Sequence, residues 1–358
     1  RYCGPECQVQ HWKEGGHDKL CRKIKKAGGA EQYNANKKYA EAVAVAAEKC
    51  ADDTKGQTCY ICTQALHWKT KEGLVRMCAC RGTAGFAHVS CLAEQAKILW
   101  AEAEENNLED KFDERWDRWA YCSLCEQRYH GVVKCALGWA CWKTYLGRPE
   151  RDQIRGMAMN LLGLGLEAVE HHEDALSVKE SELATMRRRD ADEGSILIVQ
   201  SNLASTYQKL RRFEEARLIQ RDVYFGFLKL HGGQHQTTLI EADNYASTLF
   251  QLQRFEEAKS LFRKTVPVTQ RVLGESDELT LRMRWNYASS LFATPGATLQ
   301  DTREAVAILE DIEQIARRVL GGAHPVTVGI ETNLGRSREA REILSAREAS
   351  EPVGATAP

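Results

Sequence analysis

From about residue 151 onward, apolar positions recur at helical spacing, one amphipathic helix after another, with Gly-containing turns between them. The pattern is itself periodic. Asn160, Asn202, Asn244 and Asn286 stand 42 residues apart, and Asn333 follows after 47. Phe213-Glu214-Glu215-Ala216 recurs as Phe255-Glu256-Glu257-Ala258, and Tyr245-Ala246 as Tyr287-Ala288. Thr238, Thr280 and Thr327 close the loops after Gly232-Gly233, Gly274 and Gly321-Gly322. The five extra residues between Asn286 and Asn333 are expected to loop out at Thr294-Pro295-Gly296. A fixed period of this size predicts stacked helical hairpins that bury their faces only against their neighbours. The first repeat, about 151 to 190, is looser, and the last copy, from Asn333, shrinks to a capping helix.

Before residue 151 the pattern changes. Residues 28 to 55 are rich in Ala, Glu and Lys, and Ala40 to Glu48 reads as a helix from its strong helix formers. On either side of that stretch the chain is dominated by Cys and His. All 13 cysteines lie at or before Cys141. They cluster with histidines at short spacings, which favours zinc in a reducing compartment over disulfides. Cys50, Cys135 and Cys141 are left over, and the last two, near Trp139 and Trp142, are expected to pack as small apolar residues. The length of 358 residues suggests two or three domains. With Lys plus Arg at 49 and Asp plus Glu at 50, no global field draws nucleic acid or an anionic membrane. No run of 18 apolar residues predicts a membrane span. The chain begins at Arg1 and is expected to be a fragment or processed product.

Eight of the cysteines and histidines form four pairs. Cys59-x2-Cys62 is followed by Cys78-x1-Cys80, then after seven residues by His88-x2-Cys91, and after 30 more by Cys122-x2-Cys125. Zinc takes four tetrahedral thiolate or imidazole ligands, and a pair two residues apart grips one ion from a tight knuckle. Four pairs therefore fit two ions.

This stretch resembles the RING-CH (variant RING) family, including Cys80-Arg81-Gly82 after the second pair and His88-x2-Cys91-Leu92. The resemblance implies interleaved sites, one from Cys59, Cys62, His88 and Cys91, the other from Cys78, Cys80, Cys122 and Cys125. Full coordination makes both zincs structural, with binding energy serving as folding energy. It also implies recruitment of a ubiquitin-conjugating enzyme on a shallow apolar groove to which Ile61 contributes. Two positions depart from the family. Gln95 stands where Trp is common, and Glu126 where active ligases often have a basic residue, with Arg128 two later. Trp100, Trp116 and Trp119 in the insert from 92 to 121 are candidates to supply the aromatic from elsewhere.

At the start, Tyr2-Cys3-x3-Cys7-Gln8, His11-Trp12 and His17-x3-Cys21 resemble the second half of a MYND zinc finger. The resemblance implies that Cys3 and Cys7 share one zinc, and His17 and Cys21 another, with cysteines upstream of Arg1. The alternative is that these four collapse onto one ion. No Gly-rich cofactor loop or Asn-His-Ser-Cys signature of a SET methyltransferase accompanies the finger.

The repeats resemble tetratricopeptides of the kinesin-light-chain kind, through Asn202-Leu203-Ala204, Arg212-Phe213-Glu214-Glu215-Ala216 and Leu320-Gly321-Gly322-Ala323-His324-Pro325. The resemblance implies a concave face on which Asn202, Asn244 and Asn286 offer amides to an extended peptide. The alternative is that each Asn fixes its own repeat's turn. Arg282, Arg284 and Trp285 add charge and stacking nearby, and His171 and His172 read as exposed.

The expected fold class is mostly α: small zinc-stapled α+β modules followed by an α-helical tetratricopeptide solenoid. The expected boundaries are a half finger at 1–21, a helical linker at 28–55, the RING-CH module at 56–130, a connector at 131–150, repeats at 151–345 and a disordered tail at 346–358. The expected function is a Zn2+-binding protein-interaction adaptor, either a ubiquitin ligase acting by recruitment or a non-catalytic scaffold. Its partners are proteins or extended peptides, and its expected place is the soluble cytoplasm or nucleus.

Overall fold

Helix after helix forms where the sequence repeats its apolar positions, and loops form where it repeats its cysteines. The structure, a computed structural model, describes residues 17–322 and 324–350. The chain divides into two units, Arg1–Asp190 and Ala191–Pro358.

In the first unit, α1 (His17–Ala27) and α2 (Ala30–Lys49) are separated by Gly28 and Gly29, both at positive φ. Helix α2 buries Ala35, Tyr39, Val43 and Ala46, one stripe at helical spacing. Residues 50–88 form loops, whose β structure is a single antiparallel bridge between Val75 and Ala87. Then come α3 (Val89–Glu105), the short α4 (Phe112–Trp116), and α5 (Gly131–Tyr145). A second bridge joins Tyr121 and Arg128.

The stretch expected as a connector holds α5, which is buried on nearly every side: Val133, Cys135, Ala136, Leu137, Ala140, Cys141, Trp142 and Tyr145 are all in the core. It packs against α6 (Gln153–Glu167), which pairs with α7 (His172–Arg188). Two glycines allow this approach. A Cβ on Gly138 would sit 2.9 Å from the Leu161 carbonyl, and one on Gly165 would sit 3.0 Å from Cys135 Cα. One apolar core runs from Ala35 through the cysteine-rich loops to Ala175. Cys135 and Cys141 pack in it as the sequence suggested, and burial pushes both thiols up.

Three tryptophans of the insert belong to the same core. Trp100 meets Phe112 and Trp116 at ring separations of 5.2 Å, and Tyr145 closes the cluster against Trp116 and Trp119. All three are buried, so none supplies a surface aromatic.

The second unit stacks three helical hairpins, α8 (Glu193–Lys209) with α9 (Phe213–His231), α10 (Gln236–Gln251) with α11 (Phe255–Leu273), and α12 (Glu278–Ala293) with α13 (Leu299–Val319). Helix α14 (Pro325–Ser350) packs on α13. The glycines of the sequence pattern mark the turns between hairpins: Gly232, Gly274 and Gly321 all have positive φ. The turn within the third hairpin also uses one, Gly296, but those within the first two do not. Arg211 (φ 59°) and Gln253 (φ 60°) are left-handed instead. The N–H of Arg212 reaches the Tyr207 carbonyl and that of Arg254 the Leu249 carbonyl, the six-to-one bond of a Schellman cap. Glu170 (φ 62°) does the same between α6 and α7, with His171 N–H on Leu166 O.

The threonine markers lie in the first turn of a helix rather than in the preceding loop. Thr238, Thr280 and Thr327 are buried there, and Thr238 Oγ1 donates to the Phe227 carbonyl. The helix N-caps recur with them, since Asp192, His235, Asp277 and His324 each accept an N–H of the following turn. The extra residues after Asn286 fall where Thr294-Pro295-Gly296 lies, followed by a capping box of Thr298 and Asp301 that starts α13.

Candidate metal centres and the repeat face

The loops of the first unit bring the eight ligands into two groups. Cys59, Cys62, His88 and Cys91 place their donor atoms within 4.8 Å of one another, and so do Cys78, Cys80, Cys122 and Cys125. These are the interleaved sets that the resemblance implied. Two knuckles supply the first and last pairs. In one, Thr63 is left-handed and returns its N–H to Cys59 O; in the other, Glu126 does the same to Cys122 O. The N–H groups of Ile61 and Cys62 point at Cys59 Sγ, at 3.4 and 3.5 Å. Backbone donors of this kind stabilise a thiolate.

His88 is fully buried at the N-cap of α3. Its Nδ1 lies 3.4 Å from Cys62 Sγ and 3.6 Å from Cys91 Sγ, while Nε2 faces the Ala65 carbonyl at 3.4 Å. A carbonyl only accepts, so the ring proton belongs on Nε2 and the Nδ1 lone pair faces the sulfurs. Burial lowers the His88 pKa, which favours that neutral form.

The spacing suits zinc. Zn–S bonds of about 2.3 Å in a tetrahedron require S···S edges of about 3.8 Å, and N···S edges a little shorter. Cys80 Sγ and Cys122 Sγ are 3.7 Å apart. The electrostatics ask for a cation as well. Burial pushes the Cys78 and Cys91 thiols well above the ordinary range and Cys80 to about 11. At Cys125 burial also opposes ionisation, but the Gln127 N–H and the neighbouring sulfurs bring it down to about 7. Four thiolates this close together need a positive centre among them. The donor set is closed, three or four sulfurs with at most one imidazole, and such sites hold zinc structurally.

Three residues around these centres carry no marker in the sequence. Gly85 (φ 84°) lies over the second set, where a Cβ would come within 2.6 Å of Cys80 Cβ. Tyr60 and Ser123 share a hydroxyl hydrogen bond of 3.1 Å that ties the two knuckles together. The next residue of each knuckle is an exposed aliphatic, Ile61 at 36 % and Leu124 at 51 %. Arg128, the basic residue after the last pair, lies over the Tyr121 ring and donates to its hydroxyl at 2.6 Å.

Of the half finger, Cys3 and Cys7 lie outside the described residues. His17 opens α1 and Cys21 lies within it, but the His17 side chain is outside the description too.

In the repeats the asparagines stand on α8, α10 and α12, the first helix of each hairpin. Asn286 bonds from one such helix to the next, and Asn244 holds an acid within its own helix. Asn286 Nδ2 donates to Asp243 Oδ1 at 3.0 Å and faces Ser247 Oγ at 3.3 Å. Asn244 Nδ2 donates to Glu241, which also accepts from Ser201. Arg282 pairs with the same Asp243 at 2.7 Å, and Arg284 with Glu275 and Asp311. Burial raises the pKa of Asp243 and Glu241, and these partners oppose the rise. Trp285 packs on Gly329, where a Cβ would meet its ring at 2.3 Å. His171 is exposed and His172 half-buried.

Comparison with known proteins agrees with both halves of this description. A model of the RING-variant domain matches residues 59–125. A tetratricopeptide-repeat model matches residues 197–224 and 242–278. No curated protein matches the chain. Among solved structures, a Podosopora anserina protein of nearly identical, kinesin-light-chain TPR-like repeats is 16% identical, with a TM-score of 0.45, over 64% of this chain and 97% of its own. BtubC (BKLC) from P. vanneervenii is 16% identical, with a TM-score of 0.42, over 63% and 95%. The apo form of RapI is 14% identical, with a TM-score of 0.41, over 72% and 84%. The chain thus holds a RING-variant domain and tetratricopeptide repeats, and it is a protein-interaction adaptor with cysteine and histidine clusters suited to zinc. Among the described residues no helix is long and apolar enough to cross a membrane.

Proposed function

We propose that the central module holds two Zn2+ ions and recruits a ubiquitin-conjugating enzyme, while the repeats hold the client to be modified. The observation that carries this reading is the apolar pair Ile61 and Leu124. Each stands at the tip of a metal knuckle, and the Tyr60–Ser123 bond holds the knuckles side by side. Two exposed aliphatics on a rigid, metal-braced surface suit a shallow apolar contact. Catalysis is by positioning, because the module offers no nucleophile of its own once its thiolates are spent on metal.

On the client side, Asn202, Asn244 and Asn286 line the peptide-binding face. Asn244 and Asn286 direct their amide donors to Glu241 and Asp243, which leaves their Oδ1 acceptors for the N–H groups of an extended peptide. Cys3, Cys7, His17 and Cys21 belong to a MYND-type half finger that also binds zinc.

A second reading rests on Arg128 and Gln95. The basic residue after the last ligand spends its guanidinium on Tyr121, and Gln95 stands where the family carries Trp. In that case the module is a docking scaffold without ligase activity.

An autoubiquitination panel over many conjugating enzymes separates the two. Chain formation lost in Ile61→Ala and Leu124→Ala, with zinc content retained, supports recruitment. No chain formation with any conjugating enzyme leaves the scaffold.

A further inference from the structure

The central module contains a third knuckle, and it carries no metal pair. In three turns the fifth residue is left-handed: Thr63 (φ 63°), Lys71 (φ 60°) and Glu126 (φ 55°). Its N–H donates to the carbonyl of the first residue, Cys59, His67 or Cys122, at 2.8 to 2.9 Å. The N–H of that first residue donates in turn to Gln64, Glu72 or Gln127 at 3.0 Å. Where two of these turns place cysteines, the middle one places His67 and Thr70. Their side chains meet at 2.8 Å, and the Thr70 N–H lies 3.2 Å from His67 Nδ1, much as the Cys62 N–H lies by Cys59 Sγ. Thr70 is fixed further by Glu72, which also accepts from the N–H and hydroxyl of Ser90. Hydrogen bonds close this turn as metal closes the other two.

The tip of the third knuckle is Trp68-Lys69, in the positions that Tyr60-Ile61 occupy in the first. Trp68 is 68 % exposed, the most exposed large apolar side chain among the described residues. It borders a cleft of about 790 Å³. Tyr39, Lys69, Lys97 and Lys143 also line the cleft, and Glu94 is the carboxylate among its lining residues. Glu94 is paired with Lys97 at 3.5 Å. Lys143 is different. It is half-buried, its Nζ lies 3.7 Å from the centre of the Tyr39 ring, and among the described residues no carboxylate forms an ion pair with it. Burial lowers its pKa, and Glu72 works against that fall. A half-desolvated ammonium gains from an incoming anion more than an exposed one does.

We propose that this cleft is a docking site for a peptide segment that carries a carboxylate side chain beside an aliphatic or aromatic one. The carboxylate meets Lys143, with Lys69 steering it in, and the apolar neighbour covers Trp68. Charge complementarity selects the occupant. Three lysines line the cleft against Glu94, and the Glu72 carboxylate behind Thr70 and Ser90 brings the acids to two, so cations still predominate in a chain whose net charge is -1. A nucleic-acid strand fits less well, because it needs a track of cations to follow its phosphates, and here the cations converge on one pocket.

The test uses the full chain loaded with zinc and a fluorescein-labelled short peptide that alternates Glu with Leu. Its controls are the same peptide with Gln for Glu, and a single-stranded oligonucleotide. Saturable binding of the acidic peptide is expected, weakened at least about tenfold by Lys143→Met, by Trp68→Ala and by Gln for Glu, and reduced by salt. Trp68 is exposed, and Met keeps much of the Lys143 stem, so both variants should hold their zinc and helicity. Ile61→Ala should bind the peptide as the parent does, which separates this site from conjugating-enzyme recruitment. The proposal is overturned if the acidic peptide does not bind, if the Gln peptide binds equally, if both cleft variants bind like the parent, or if the oligonucleotide binds more tightly.

Discussion

The cysteine-rich loops and the repeat hairpins solve the same problem by different means. Between Ala51 and His88 the chain has no α-helix, and its β structure is one bridge, so few backbone hydrogen bonds are regular. Its shape comes from side chains that converge on two points. The hairpins of the second unit have no such points. Each buries Ala and Leu at a fixed period, as Ala216, Ala258 and Ala305 show at 0 % exposure, and each gains its stability from its neighbours. A repeat array is therefore tuned by many small terms, whereas a metal module depends on a few large ones.

Metal removal tests that contrast most severely. Structural zinc contributes on the order of 10 kcal/mol of folding energy per site. Chelation should abolish amide protection across residues 59–125 and leave α8 to α13 protected, as read by hydrogen exchange. Two zincs per chain should be released from the central module. Loss of protection in α8 to α13 together with the module would falsify the division.

The next effect runs the other way. Phe262 is wholly buried between the second and third hairpins. Phe262→Ala should lower the stability of the second unit by about 3–5 kcal/mol, since a large core cavity is left behind. Zinc content and protection of the module should not change.

Two glycines sharpen the contrast at equal chemistry. Gly85→Ala puts a Cβ against Cys80 at a left-handed position, and one of the two zincs should be lost by elemental analysis. Gly329→Ala pushes a Cβ into the Trp285 ring, and its cost should be about 1–3 kcal/mol by denaturant titration, with both zincs retained. The same substitution thus costs a metal in one region and only packing in the other.

The smallest effect belongs to the turns. Gln253 is left-handed without being glycine. Gln253→Gly should raise the stability of the second unit by up to about 1 kcal/mol, because the Cβ penalty disappears. A destabilised variant would show that the Gln253 side chain contributes more than its backbone strain costs.

Much of both regions was legible in the sequence because its signals are local or periodic. Ligand pairs two residues apart and an asparagine every 42 residues need no tertiary knowledge to be seen. What escaped notice was structure without a residue-type marker. The within-hairpin caps at Glu170, Arg211 and Gln253 lack the glycine that usually announces them. The third knuckle lacks the cysteines that announce the other two. The core position of α5 was also hidden, since a helix apolar on most sides gives no amphipathic stripe to read. Trp100, Trp116 and Trp119 looked available for a surface, but the core took all three, and the exposed aromatic is Trp68.

By itself the sequence determined the ligand order, the repeat period and the helical content, because each follows from residue type at fixed spacing along one chain. The tertiary structure alone decided which surfaces remain to meet a partner. It drew Ile61 and Leu124 onto neighbouring knuckles through the Tyr60–Ser123 bond, committed the Asn244 and Asn286 donors to buried acids, and left Trp68 and Lys143 around one cleft. Exposure is a property of what packs nearby, and residues far apart in the chain supply that packing.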